Sequence, residues 1–257
     1  MLILGIETAT RAGSVALVRI DTGAARETLA EAGFGESGAS AAEILPAFED
    51  CLARAGLPES AINLIAVSIG PGSFTGLRVG LATAQGLALG IGAKLIGVPT
   101  LDALASVALD EDRSVGAGEY VCPCLDARRG EVYATLHRVA SQNGVLERLG
   151  DDTALAPSAL ADWIQRTVAT HGVGPIRFAG DGAERYREEI VEAARRSGPS
   201  VSLVSARSRA ATVAQLGAAL LEERGPDEPA AMVPRYARAS EAETKRQEAL
   251  DRSQGGA

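Results

Sequence analysis

The sequence predicts an α/β protein in which one unit is used twice. Three observations carry this. Each half reads strand, strand, strand, helix, strand, glycine turn, helix, and a repeated element order points to duplication. Short apolar runs alternate with segments of helical spacing instead of following them in blocks. Aromatic residues are only 4% while Gly numbers 29 of 257, above its usual share of about 7%, so small side chains must do much of the packing.

Leu2 to Glu7 is an apolar run closed by Thr8-Ala9-Thr10 and reads as a buried strand. Gly13 to Ile20 alternates and reads as its hairpin partner, and Arg26 to Ala32 as a weaker third strand. Gly33, Gly35 and Gly38 mark a loop. Ala41 to Ala55 carries Ile44, Leu45, Phe48, Leu52 and Ala55 at helical spacing and stops at Gly56. Leu64 to Ile69 is a strand, Gly70-Pro71-Gly72 a turn, and Ser73 opens a long helix to about Leu89, followed by a strand from Leu95 to Val98. In the second half, Tyr120 to Asp126 and Glu131 to Val139 form a hairpin around Arg128-Arg129-Gly130, with Val145 to Leu149 as a third strand. Ser158 to Val168 is a helix, Ile176 to Ala179 a strand, Gly180-Asp181-Gly182 a turn and Glu184 to Arg195 a helix.

This order divides the chain into a first lobe over residues 1–105 and a second over 106–208, with the boundary near Ser106 to Gly118. A last helix over 209–224 packs back on the first lobe. Residues 225–257 form an extended charged tail with a frayed end.

Composition excludes several functions. Lys+Arg 25 against Asp+Glu 33 gives a net charge of −8, which repels phosphate backbones and argues against stand-alone nucleic-acid binding. The three cysteines, Cys51, Cys122 and Cys124, are too few for a disulfide framework and read as buried strand thiols. His137 and His171 stand in no metal-binding spacing. There is no leader pattern, and the longest uncharged stretch, between Arg78 and Lys94, falls short of the roughly 18 residues a membrane span needs. A cytoplasmic protein without a membrane contact is expected.

Two constellations carry the functional reading. Gly72, Gly76, Gly80, Ala84 and Ala88 recur at a step of four, so one face of the helix after Pro71 is almost bare. Glycine inside a helix costs about 1 kcal/mol relative to Ala, so something must pack there. That is either the chain's own core or a second subunit. Glu7, with Thr8 and Thr10 beside it, and Asp126 occupy matching places in the two halves. Facing a cleft together with the turns at Gly70–Gly72 and Gly180-Asp181-Gly182, they suit a metal–nucleotide pair, or else are plain hairpin-turn residues.

Four blocks give a family resemblance. Leu4-Gly5-Ile6-Glu7-Thr8-Ala9-Thr10, Gly70-Pro71-Gly72-Ser73-Phe74-Thr75-Gly76-Leu77-Arg78-Val79-Gly80, Asp126-Ala127-Arg128-Arg129-Gly130-Glu131-Val132-Tyr133 and Pro234-Arg235-Tyr236-Ala237-Arg238 occur in the order seen in the TsaB (YeaZ) family, which the chain resembles over residues 1–242. The resemblance implies an actin-like, Hsp70-like (ASKHA) fold of two ribonuclease-H-like βββαβα lobes. It implies a noncatalytic partner of the catalytic subunit TsaD which, with the ATPase TsaE, installs threonylcarbamoyl on the adenosine at position 37 of tRNAs reading codons that start with A. The donor is threonylcarbamoyl-AMP, made by another enzyme. Contact with tRNA is then through the complex only. TsaD holds a metal on an H-x-x-x-H helix, and the matching stretch Ser40-Ala41-Ala42-Glu43-Ile44-Leu45-Pro46 has no His. No metal or intrinsic cofactor is therefore expected, and ATP or ADP has its place at the interface of the complex.

The resemblance places the partner interface on Ile44, Leu45, Phe48 and Leu52 of one helix and on Ser73, Phe74, Thr75, Gly76, Leu77, Arg78, Gly80, Leu81 and Ala84 of the next. The same surface serves a homodimer when the partner is absent. Glu7, Thr8, Thr10, Asp126, Gly180, Asp181 and Gly182 then form a vestigial nucleotide cleft. The rival expectation is an ATP- and Mg-dependent phosphotransferase of the actin-like superfamily using Glu7 and Asp126. A metalloprotease is a third, which the missing metal ligands disfavour.

Overall fold

A computed structural model of the chain describes residues 1–21, 25–35, 41–111, 116–141, 144–197 and 200–237. Its helices are α1 (Ala41–Ala55), α2 (Phe74–Ile91), α3 (Thr100–Glu111), α4 (Leu160–Val168), α5 (Asp181–Arg185), α6 (Arg187–Ser197) and α7 (Ala210–Arg224).

The first sheet is built on β1 (Leu2–Glu7), which is apolar up to Glu7 and buried along its length. A strand buried on both faces belongs in mid-sheet. β1 runs antiparallel to β2 (Gly13–Ile20) and parallel to β4 (Leu64–Gly70). With β3 (Arg26–Phe34) beside β2 and β5 (Lys94–Pro99) beside β4, the order is β3-β2-β1-β4-β5. Successive side chains point to opposite faces, and this splits the core. Leu4, Ile6, Val15 and Leu17 pack beneath α1 and α2 with Ile44, Phe48 and Leu81. Ile3, Ala16, Val18 and Leu64 pack against Val213 and Ala214 of α7.

The second sheet repeats the order around β6 (Tyr120–Arg128), with β11 (Ile176–Ala179) and β12 (Val201–Val204) parallel on one side. On its other side, the strand read as Glu131 to Val139 is two pieces, β7 (Glu131–Ala134) and β8 (His137–Val139), paired outward with β10 (Thr153–Leu155) and β9 (Leu146–Arg148). Both pieces keep one register on β6, Cys124 opposite Ala134 and Val121 opposite His137. That register sets Pro123 opposite Thr135, in the gap. Proline has no N–H to give the ladder, which interrupts the pairing there.

Three further expectations are corrected. The stretch assigned to the lobe boundary from Ser106 is helical as far as Glu111, because α3 buries Leu101, Leu104, Ala105, Val107 and Ala108 between the two sheets. Asp102, Ser106 and Asp110 recur at a step of four and leave the rest of the helix apolar. Asp102 of α3 meets His137 and Arg148 of the second sheet. Against the upward pull of burial, the hydrogen bond from His137 and the Arg148 guanidinium hold its carboxyl below the ordinary value. The helix read as Glu184 to Arg195 is the pair α5 and α6, and only Gly180 of the second glycine turn precedes a helix. Cys51 is buried on a helix, not a strand; Cys122 and Cys124 are buried on β6.

After α7 the chain lies back across the first lobe. Asp227 joins the edge of β5 through its amide to the Leu95 carbonyl and its carboxylate to the Gly97 amide. Gln85 of α2 donates to the carbonyls of Pro229 (2.6 Å) and Met232 (3.1 Å). Gln85→Ala should release this strap at a cost of about 1–2 kcal/mol, seen as faster proteolysis beyond residue 226 with the far-UV circular dichroism unchanged. The expected frayed end falls beyond residue 237, outside the described residues. Among the described residues no helix is long and apolar enough to cross a membrane.

Candidate functional site

Glu7 ends β1 at the mouth of the space between the lobes, but its carboxylate turns inward. Oε1 accepts the amides of Ala9 (2.6 Å) and Thr10 (3.2 Å), and Oε2 accepts the Ser208 hydroxyl (2.8 Å). The side chain is fully buried, and burial raises its pKa above the ordinary glutamate value despite these bonds. Thr8 is buried as well. The expectation that Glu7 and Thr8 line the cleft is thus corrected: they fix the β1–β2 turn from inside.

Thr10, Asp126 and Asp181 do face the cleft. Asp126 spends its oxygens on the Arg128 amide (2.9 Å) and the Arg185 guanidinium (2.9 Å), and its own amide donates to Asp181 Oδ1 (3.0 Å). Gly180 borders an adjoining depression, while Gly182 lies against Leu125 where a Cβ would not fit. A metal–nucleotide pair needs carboxylate oxygens free to bind. Glu7 is fully buried and Asp126 is held in an ion pair with Arg185, so the two carboxylates expected to carry a magnesium–nucleotide complex do not fit that role. Nor do three metal-ligating side chains converge anywhere among the described residues.

What remains is an open cleft of about 620 Å³ between the β1–β2 turn, the start of α2 and the β6–β7 hairpin. A second depression of about 440 Å³ shares Thr10, Arg11, Leu125 and Asp181 with it.

The bare face of α2 is already occupied. A Cβ at Gly72 would overlap the Ala9 carbonyl, at Gly76 the Thr8 carbonyl and at Gly80 the Thr8 hydroxyl. Ala84, Leu77 and Leu81 are buried under the same helix, and Ile44 and Phe48 belong to the first lobe's core. These seven, Gly76, Leu77, Gly80, Leu81, Ala84, Ile44 and Phe48, are therefore withdrawn from the expected interface. The helix comes close to the sheet because the β1–β2 turn must pass beneath it.

The opposite face of the same two helices is open. Leu45 is 44% exposed and Phe74 40%. Ser73, Thr75 and Arg78 are exposed, and Leu52 half-buried. Sequence reasoning missed Ala82, Gly86 and Leu89, of which Leu89 is 75% exposed. The same step of four, begun at Phe74 and run through Arg78, Ala82 and Gly86, marks that face. It also missed Tyr236. Its ring stacks on Phe74 with centroids 5.3 Å apart, its hydroxyl accepts from Arg78 Nε (3.1 Å), and Arg78 sits over Phe74 at 3.9 Å. The strap is led there by the Arg235 amide, bonded to the Ile69 carbonyl, across Gly70, whose positive φ and missing Cβ admit the Arg235 carbonyl.

A protein-family model described as "TsaD: tRNA N6-adenosine threonylcarbamoyltransferase" matches residues 37–245. The tRNA threonylcarbamoyladenosine biosynthesis protein TsaB of Escherichia coli (strain K12) is 38% identical over 166 residues, 65% of this chain and 67% of that protein. Its namesake in Bacillus subtilis (strain 168) is 28% identical over 245 residues, 95% and 97% of the two chains. YeaZ from Pseudomonas aeruginosa superposes with a TM-score of 0.71 at 26% identity, covering 91% of this chain and 99% of that one. Two sheets of one strand order, one in each half of the chain, define a duplicated α/β protein of the actin-like (ASKHA) class. Within that class the chain belongs to the TsaB (YeaZ) family.

Proposed function

We propose that this protein acts in the formation of threonylcarbamoyladenosine in tRNA as a noncatalytic subunit that holds a TsaD-type catalytic subunit in its competent conformation, with a TsaE-type ATPase completing the complex. The names of its relatives support the pathway. The observation that carries the subunit role is the open apolar strip of Leu45, Phe74, Ala82 and Leu89 on neighbouring helices. Large apolar side chains left exposed on one face of two helices fit a protein contact. Burying them favours whichever partner conformation presents the matching surface, a shift of population and not a chemical step. tRNA is met through the complex, and without its partner the strip pairs with a second copy of the chain.

The phosphotransferase reading loses support because the Glu7 carboxylate is spent on the protein's own amides. One solved neighbour carries the words "similarity to peptidase YEAZ", but no donor set among the described residues suits a metallopeptidase.

The test is the pair of substitutions Leu45→Glu and Leu89→Glu, both on exposed positions. Together they should weaken binding to the catalytic subunit about a hundredfold, about tenfold each, and stop tRNA modification by the reconstituted complex, with the melting temperature of the free chain unchanged. Unaltered affinity in calorimetry would remove the strip as the interface.

A further inference from the structure

We infer that the second lobe holds a pocket for a small uncharged molecule of one or two hydrophobic rings, at the end of β6 remote from the cleft. The pocket, of about 270 Å³, lies between α4, α6 and the first residues of β6 and β11. Tyr120, Ile176 and Phe178 form its floor on the sheet. Ile164 and Val168 of α4 face Ile190 and Ala194 of α6 across it. All of these residues are buried, so the pocket reaches into the lobe's own core instead of resting on its surface.

Protein interiors rarely keep a void larger than a water molecule, and the duplication supplies a comparison. In the first lobe the connection from α1 to β4, residues 56–63, sends Ile62 into the core and packs Leu57 and Ala61 against it. The matching connection from α4 to β11, residues 169–175, has a single branched aliphatic side chain, Val173, and that is 82% exposed. What the first lobe fills from its own chain, the second leaves open. The connection is held in this outward course. The His171 and Gly172 amides both donate to the Val168 carbonyl (2.8 and 3.1 Å), and the Tyr120 hydroxyl donates to the Gly172 carbonyl (2.6 Å). Gly174 lies against the Gly118 carbonyl, where a Cβ would not fit. The rim is therefore built before a ligand arrives, which lowers the cost of binding.

The lining decides the class of ligand. Among the described residues no charged side chain borders the pocket, so an ion would lose its hydration there with nothing to replace it. A dry cavity of about 150 Å³ lined by aliphatic and aromatic groups takes up benzene. This one is larger and has room for one or two fused rings. The Tyr120 and Phe178 rings on the floor suit an aromatic guest. A protein segment fits less well. Among the described residues Val173 is the one exposed large hydrophobic group at this mouth, while α4 and α6 turn Asp162, Arg166, Glu188 and Arg195 to solvent. A protein interface needs a wider apolar centre than one valine.

The experiment titrates the full-length chain with indole by calorimetry and thermal shift, with sodium benzoate as the charged counterpart. Indole should bind at one equivalent and raise the melting temperature by mass action; benzoate should do neither. Ala161→Met and Ala194→Met place a flexible side chain in the space, one from each helix. Each should weaken indole binding by about tenfold or more while raising the melting temperature of the free chain. A readout that needs no substitution is the methyl spectrum of the parent chain, in which Ile164, Val168, Ile176 and Ile190 should shift with indole. Absence of indole binding, benzoate binding as tightly, shifts confined to other methyl groups, or an affinity unmoved by both substitutions overturns the assignment. Leu45→Glu and Leu89→Glu lie on the first lobe and should leave indole binding as it is, so failure of the pocket and failure of the partner interface are distinguishable.

Discussion

Gly76→Ala should destabilise the protein by about 2–4 kcal/mol, whereas Gly86→Ala, ten residues along the same helix, should stabilise it by about 0.5–1 kcal/mol. Replacing a helical glycine by alanine ordinarily gains about the second figure, since alanine loses less backbone entropy. Gly86 has open space where a Cβ would sit. At Gly76 that position coincides with the Thr8 carbonyl oxygen. Backbone cannot swing aside as a side-chain tip can, so either α2 lifts from the sheet or the β1–β2 turn moves, and overpacking of this sort costs several kcal/mol. Gly80→Ala should fall between the two, because its obstacle is the Thr8 side chain. Chemical denaturation with a common m-value reads all three. Equal effects at Gly76 and Gly86 would mean that the bare face is not filled from within, and the interface would return to it.

That contrast shows what could be read from the chain alone. A step of four residues defines a helix face by geometry, so the stripe itself was legible. What covers it was not, since Thr8 reaches α2 only through the path of a tertiary turn. The strands of the first lobe were legible because apolar runs between polar turns have few other solutions. α3 was read as a boundary from its charged end, although Asp102, Ser106 and Asp110 recur at the helical step of four. The divided strand of the second lobe depends on Pro123, a residue on the neighbouring strand, and no window along residues 131–139 contains it. Chemistry-bearing residue types were visible in the sequence; which were spent on holding the fold and which were left free was settled only by packing.

Glu7 is the sharpest instance, and its substitutions should separate function from architecture. Glu7→Ala should cost about 3–5 kcal/mol, because it strands the Ala9 and Thr10 amides and the Ser208 hydroxyl in a buried site. Glu7→Gln keeps an acceptor for both amides and gives Ser208 a donor in place of an acceptor, so it should be neutral or stabilising. The pH dependence follows from the sign of the shift. Burial raises the folded pKa above 4.5, the ordinary value, so the folded state holds this proton more tightly than the unfolded chain. Stability from this group is complete below the ordinary value and is lost as pH climbs through the folded one. Glutamine has nothing to lose, so the melting temperature of Glu7→Gln minus that of the parent should grow as pH rises out of the carboxylate range. Asp152 and Asp181, both raised by burial, are common to the two proteins and cancel in that difference. A phosphotransferase built on Glu7 predicts something else: the isosteric amide would abolish nucleotide turnover. Full support of tRNA modification by a reconstituted complex carrying Glu7→Gln, beside a melting difference that widens with pH, fits only a carboxyl group retained to hold a turn.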